Sequence, residues 1–151
     1  MRIIVAYDGS AGSEAALDEV IRRPWPSGTE VRLVSVVEPP VAYASTEGMA
    51  AYGPVFENLY KEMREKTRAR AIRAVDRLRV RTDLAASYEL REPGVKRALL
   101  DAIHDFNADL IILGSHGMTA VGRLFLGSVA HAMVSHAPCN VEVVKIQAAA
   151  A

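Results

Sequence analysis

The sequence predicts an α/β protein, one domain built on an open parallel five-stranded sheet with helices on both faces. Strand-like and helix-like segments alternate from one end of the chain to the other, the pattern of a parallel sheet. The strand-like runs are apolar at nearly every position, as strands covered on both faces are. The 151 residues suffice for one sizeable core, and no internal repeat or linker divides them.

The elements follow in order. RIIVAY at 2–7 reads as the first strand. Ser10 can cap the helix after it, Glu14 falls in its first turn, and Ala16, Leu17, Val20 and Ile21 recur at helical spacing until Pro24 and Pro26. EVRLVSVV at 30–37 is the second strand, stopped by Pro39 and Pro40. Residues 38–54 mix Pro, Gly, Ala and two tyrosines without a period and read as a flexible excursion, either a loop tip or a lid bearing Tyr43 and Tyr52. A long helix follows, its apolar face marked by Phe56, Leu59, Met63, Ala71, Val75 and Leu78. The charges from Lys61 to Arg73 read as its solvated side. A third strand is expected at 84–90. Pro93 then suits a first helical turn, and Val95, Leu99, Ile103 and Phe106 form the next stripe. Asp109–Leu113 is the fourth strand, 129–136 a short helix and VEVVKI at 141–146 the fifth strand.

Composition narrows the function. Lys plus Arg and Asp plus Glu both number 18, so no excess of basic charge invites a nucleic acid. A single cysteine, Cys139, can form neither an internal disulfide nor a thiolate cluster, and it reads as a packed residue. The opening apolar run is too short for a signal sequence or a membrane span, so no membrane partner is expected and the cytoplasm is the expected location. His131 and His136 are five apart, not the four of a helical metal pair. Trp25, between two prolines, reads as a packing residue.

Chemistry concentrates in GSHGMTAVGRLFLGS, residues 114–128, which holds four of the chain's ten glycines. Backbone stripped of side chains can approach a ligand closely. Gly114 and Gly117 bracket a turn, and Gly127 and Ser128 open the next helix, whose free N–H groups attract anions. Two such corners can cradle phosphates, with Ser128 capping the helix and donating its hydroxyl and Thr119 and Arg123 adding contacts. His116 can touch phosphate or face solvent. The segment is neither a Walker P-loop nor a Rossmann fingerprint, because neither spacing occurs. Asp8 would suit ribose hydroxyls or a Mg2+ that neutralises phosphate charge; its other reading is a cap on the first helix.

Gly114-Ser115-His116-Gly117, nine residues and then Gly127-Ser128 resembles the G-x2-G-x9-G-[ST] nucleotide motif of the universal stress protein family. The resemblance extends over nearly the whole chain, through Asp8-Gly9-Ser10, VSVVEP, ADLIILGSHG and LGSVA. It implies a strand order of 3-2-1-4-5 and homodimers paired through Val141–Ile146. It also implies ATP as ligand, with phosphates at Gly114, Gly117, Gly127 and Ser128. Asp8 would then lie on the adenosine and metal side, and the backbone around Val36 would face adenine. Two places depart from the family's pattern: Pro138-Cys139-Asn140 stands where many relatives have Cys-Pro, and Arg91-Glu92-Pro93-Gly94 where many have Gly-x-Pro. The expected function is that of an ATP-binding regulator in stress response. The ATP is expected with Mg2+, ADP or AMP could take its place, and the sequence does not name a protein partner. The alternatives are a slow ATP hydrolase or phosphotransferase, for which Asp8 and Arg123 are the catalytic candidates, and a dimeric adaptor that holds AMP or no nucleotide.

Overall fold

The computed structural model describes residues 1–39, 46–118 and 126–146, with 46–54 described by backbone alone. The elements run β1 (Arg2–Ala6), α1 (Ala11–Arg22), β2 (Thr29–Val36), α2 (Thr46–Arg79), β3 (Leu84–Arg91), α3 (Val95–Phe106), β4 (Leu110–Gly114), α4 (Ser128–His136) and β5 (Asn140–Val144). All strand pairings are parallel and the order is β3-β2-β1-β4-β5, as expected.

The sheet is buried on both sides because β1 alternates between two cores. Ile3, Val5 and Tyr7 pack with Leu17 and Val20 of α1 and with Ala71, Val75 and Leu78 of α2. Ile4 points the other way, to Leu99 and Ile103 of α3 and Met133 of α4. Each of the Ile, Val, Leu and Met side chains among them removes surface from water worth about 1.5–3 kcal/mol. This two-sided burial is the physical origin of the unbroken apolar runs in the strands. Trp25 packs beside the first of these cores, donating its indole N–H to the Val20 carbonyl at 2.9 Å while the Arg23 guanidinium lies over its ring. Cys139 is half-buried on the α3–α4 side, and burial pushes its thiol pKa up.

One expectation is corrected. Residues 46–54 are not an excursion but the first turns of α2. That stretch has no apolar stripe, and Gly48, Gly53 and Pro54 read as breakers, yet Glu47, Met49, Ala50 and Ala51 favour helix by propensity. Residues 40–45, including Tyr43, lie outside the described residues, and nothing is described of the Tyr52 side chain. β5 ends at Val144, short of the expected Ile146.

Candidate functional site

The strand order reverses at β1, between β2 and β4, and open α/β sheets bind ligands beyond the carboxyl ends of their strands at such a point. A cleft of about 390 Å3 lies there. The β1–α1 connection brings Asp8, Ser10 and Ser13 to it. The β4 end and its loop bring Gly114, Ser115, His116 and Gly117, and the start of α4 brings Gly127 and Ser128. Val36, the last residue of β2, extends beyond the final β1 pairing, Ala6↔Val34, and lines the same cleft with Val34, Val95 and Leu99. The fold thus assembles the predicted site residues in one place, save Arg123, which with Thr119 lies outside the described residues. An apolar slot with a few convergent polar groups is the usual form of a small-molecule site.

The roles of single residues differ from the sequence reading. Gly114 is required by packing: a Cβ there would stand 2.7 Å from the Gly12 Cα, because the first turn of α1 rests directly on the end of β4. Gly12 is spared a side chain for a different neighbour, since a Cβ on it would collide with the His116 carbonyl oxygen. Gly127, not Ser128, is the N-cap of α4, and among the described residues no side chain caps that helix. The Gly127 N–H donates to the Ser115 carbonyl at 2.8 Å, and a Cβ on Gly127 would press to 3.0 Å from that same oxygen. A bulky residue at 127 would therefore strain the protein itself as well as block a ligand. Ser128 is exposed at the first helical position.

Asp8 does not cap α1. Ser10 does, accepting from the Ser13 N–H at 3.2 Å. Asp8 instead ties two loops together: Oδ1 accepts from the Ser10 N–H at 2.9 Å and Oδ2 from the Met118 N–H at 3.1 Å. Crowding by protein works against its ionisation, but the hydrogen bonds from Ser10, Ser13 and Met118 outweigh this and hold its pKa below the usual carboxylate value. Gly117 sits against it, as a Cβ there would stand 2.9 Å from Oδ2. Among the described residues no three His, Cys, Asp or Glu side chains cluster as a metal set. A Mg2+ at Asp8 would thus take one carboxylate and complete its shell from phosphate and water, which is normal for Mg2+ beside a nucleotide.

His116 is half-buried, and its Nδ1 lies 3.0 Å from the Ser115 hydroxyl. Its Nε2 is buried without a hydrogen-bond partner among the described residues. Ser115 is itself buried, its N–H donating to the Val144 carbonyl at 2.8 Å, so the glycine loop is stitched to β5. On the opposite wall Tyr7 donates its phenol to Glu14, and burial followed by that bond raises its pKa to about 12.

Two contributors escaped the sequence reading. Ser13 is buried, accepting from the Gly9 N–H and donating to the Ser10 carbonyl, both at 3.0 Å, which sets the β1–α1 turn. Arg70, inside the charge run of α2, donates from Nη1 to the Asp8 carbonyl at the rim. The only available signal was its place beside the stripe Thr67, Ala71 and Ala74.

Comparison with known proteins agrees with this architecture. Residues 1–145 match the model of the universal stress protein family. A universal stress protein encoded beside a QAH/OAS sulfhydrylase in Thermus aquaticus is 33% identical over 146 residues, covering 95% of this chain and 97% of its own. The solved UspA of Lactobacillus plantarum superposes with a TM-score of 0.77 at 23% identity, over 95% of this chain and 97% of its own. A universal stress protein family member from Arabidopsis thaliana, solved with AMP bound, superposes with a TM-score of 0.62 at 17% identity, over 98% and 93% of the two chains. Two further solved universal stress proteins hold cAMP and dAMP, the latter from Archaeoglobus fulgidus. With the family model matching nearly its full length, this chain belongs to the universal stress protein family.

Proposed function

We propose that residues 1–151 act as one nucleotide-binding domain that holds ATP with Mg2+ in the switch-point cleft and uses it as a regulatory ligand. The observation that carries this reading is the uncapped start of α4 beside the glycine loop, opposite an apolar slot lined by Val34, Val36, Val95 and Leu99. Phosphates fit the N–H groups of the helix start and a base fits the slot. Asp8 would meet the ribose or the metal. The AMP, cAMP and dAMP complexes of structural relatives support an adenine nucleotide as the ligand class. Binding is favoured over hydrolysis because Asp8, the one carboxylate lining the cleft among the described residues, has its pKa lowered by hydrogen bonds from Ser10, Ser13 and Met118 that outweigh its burial. A carboxylate with a lowered pKa is a poor general base. Arg123, the cation named for phosphate contact, belongs to this proposal by its place in the motif alone.

Pairing of two copies through Val141–Ile146 is part of the same proposal, since β5 is an edge strand whose outer side has no neighbour in the sheet. The proposed setting is the cytoplasm, where Mg-ATP is abundant; no described helix is long and apolar enough to cross a membrane. The test is to denature the purified protein, identify released nucleotide by mass, and titrate stripped protein with Mg-ATP, ADP and AMP. One adenine nucleotide per chain, or tight binding of Mg-ATP, is expected, with phosphate release over hours no faster than background. A stripped protein that binds none of them sinks the nucleotide reading, and rapid turnover sinks the regulatory one.

A further inference from the structure

Arg70 differs from most arginines of α2, and among the described residues it shares its lack of an ion pair only with Arg68 and Arg73, which are exposed where Arg70 is half-buried. Arg64 pairs with Glu92, Arg77 with Glu14 and Asp18, and Arg79 with Asp76. Arg70 has no carboxylate within ion-pair distance among the described residues, yet it is half-buried while Arg68 and Ala69 beside it are exposed. Its side chain lies across Gly9, where a Cβ would stand 2.7 Å from Nη1 and 2.9 Å from Nε. Gly9 has φ +80°, so a side chain there would be strained as well as blocked. Nη1 donates to the Asp8 carbonyl and lies 3.9 Å from the Met118 sulfur. The Met118 N–H in turn donates to the Asp8 carboxylate. A positive charge with no ion-pair partner among the described residues is thus fixed on the rim of the cleft, next to the Asp8 carboxylate and to Met118.

We infer that Arg70 is a specificity-determining residue, a cation that favours nucleotides with a polyphosphate chain over monophosphates. The inference rests on the nucleotide reading above and deepens it. A guanidinium offers five N–H donors, and one carbonyl does not exhaust them. Holding the Asp8 carbonyl needs a donor but no charge, whereas drawing a phosphate chain past the Asp8 carboxylate needs a charge to offset repulsion. A single phosphate is served by the start of α4. Further phosphates extend along the Gly117–Met118 side of the cleft, where Arg70 stands.

The test uses the full chain, stripped of ligand, and calorimetric titration with Mg-ATP and with AMP. Arg70→Met keeps an apolar stem over Gly9 and removes the charge; Arg70→Lys keeps the charge and removes the fork. Arg70→Met is expected to weaken Mg-ATP about tenfold, the loss of one charge-assisted contact, while AMP changes less than about twofold. Arg70→Lys is expected to restore most of the Mg-ATP affinity. Equal loss for both nucleotides in Arg70→Met, or failure of Arg70→Lys to restore selectivity, would mean that Arg70 only pins the loop and would overturn the inference. A parent protein that binds neither nucleotide overturns the nucleotide reading and this inference together. With a parent that binds both, the two variants alone decide the role of Arg70.

Discussion

Of the helices that border the cleft, α3 and α4 have first turns that look alike and behave differently. α3 and α4 both start after a glycine, and neither has a cap from the side chain of its own N-cap residue. At α3 the chain supplies the missing acceptor: Glu38 Oε1, from the end of β2, accepts from the Gly94 N–H at 2.7 Å and the Val95 N–H at 3.0 Å. At α4 no carboxylate takes that place among the described residues; the Gly127 N–H goes to the Ser115 carbonyl, and Ser128, Val129 and Ala130 line the cleft. A helix start with unpaired N–H groups attracts an anion. Among the described residues one start is filled from within the fold and the other is not, and the proposed phosphate site is accordingly the start of α4 and not that of α3.

The contrast is removed most directly by giving α4 an anion of its own. Ser128→Asp places a carboxylate at its first turn and should weaken Mg-ATP on the order of 100-fold by occupying and repelling the phosphate site. The melting temperature should hold or rise, because an acid there favours the helix by about 0.3–1 kcal/mol. Unchanged affinity in a titration would remove the start of α4 as the anion site.

Next comes the support behind the open start. Gly114→Ala forces a methyl against Gly12 and should cost about 1–3 kcal/mol of stability by overpacking. Urea denaturation reads this directly, and a variant as stable as the parent would mean that α1 can shift away from β4 at little cost.

Glu38→Ala opens α3 to match α4. It should cost about 1 kcal/mol, the worth of a helix cap, with nucleotide affinity unchanged. A gain in affinity in this variant would show that the two helix starts compete for one ligand.

The smallest effect concerns pH. Asp8 has a folded pKa below its unfolded value of about 3.9, so its ionised form contributes stability at neutral pH that is lost as pH falls through the folded pKa. Asp8→Asn should be less stable than the parent at pH 7, and the gap should narrow on acidification below about pH 4. Thermal melts from neutral to acid pH measure the gap; one that stays constant would mean that the bonds from Ser10 and Met118 do not depend on charge.

Much of this molecule is readable along the chain because its signals are local or periodic. The strands announce themselves through apolar runs such as Ile3–Val5 and Leu110–Leu113, since burial on two faces leaves no polar alternation. α1 and α3 show their stripes, and Ser10 its cap. The glycine loop stands out because glycine is costly to place without a reason. Where α2 begins was not legible, because propensity without a buried stripe carries its first turns.

The α/β class, the parallel sheet with helices on both faces, and the unusual residues at 8–10 with the glycines of 114–128 are therefore legible in the sequence alone. Each follows from a pattern within one element or one loop. What the described residues there touch was decided by tertiary structure. Gly114 is spared a side chain for Gly12, Glu38 reaches α3 across 56 positions, and Arg70 reaches Asp8 across 62. No periodicity encodes such meetings. They exist because the sheet order returns β4 to the side of β1 and lays α2 along the same face, bringing distant side chains within hydrogen-bond reach.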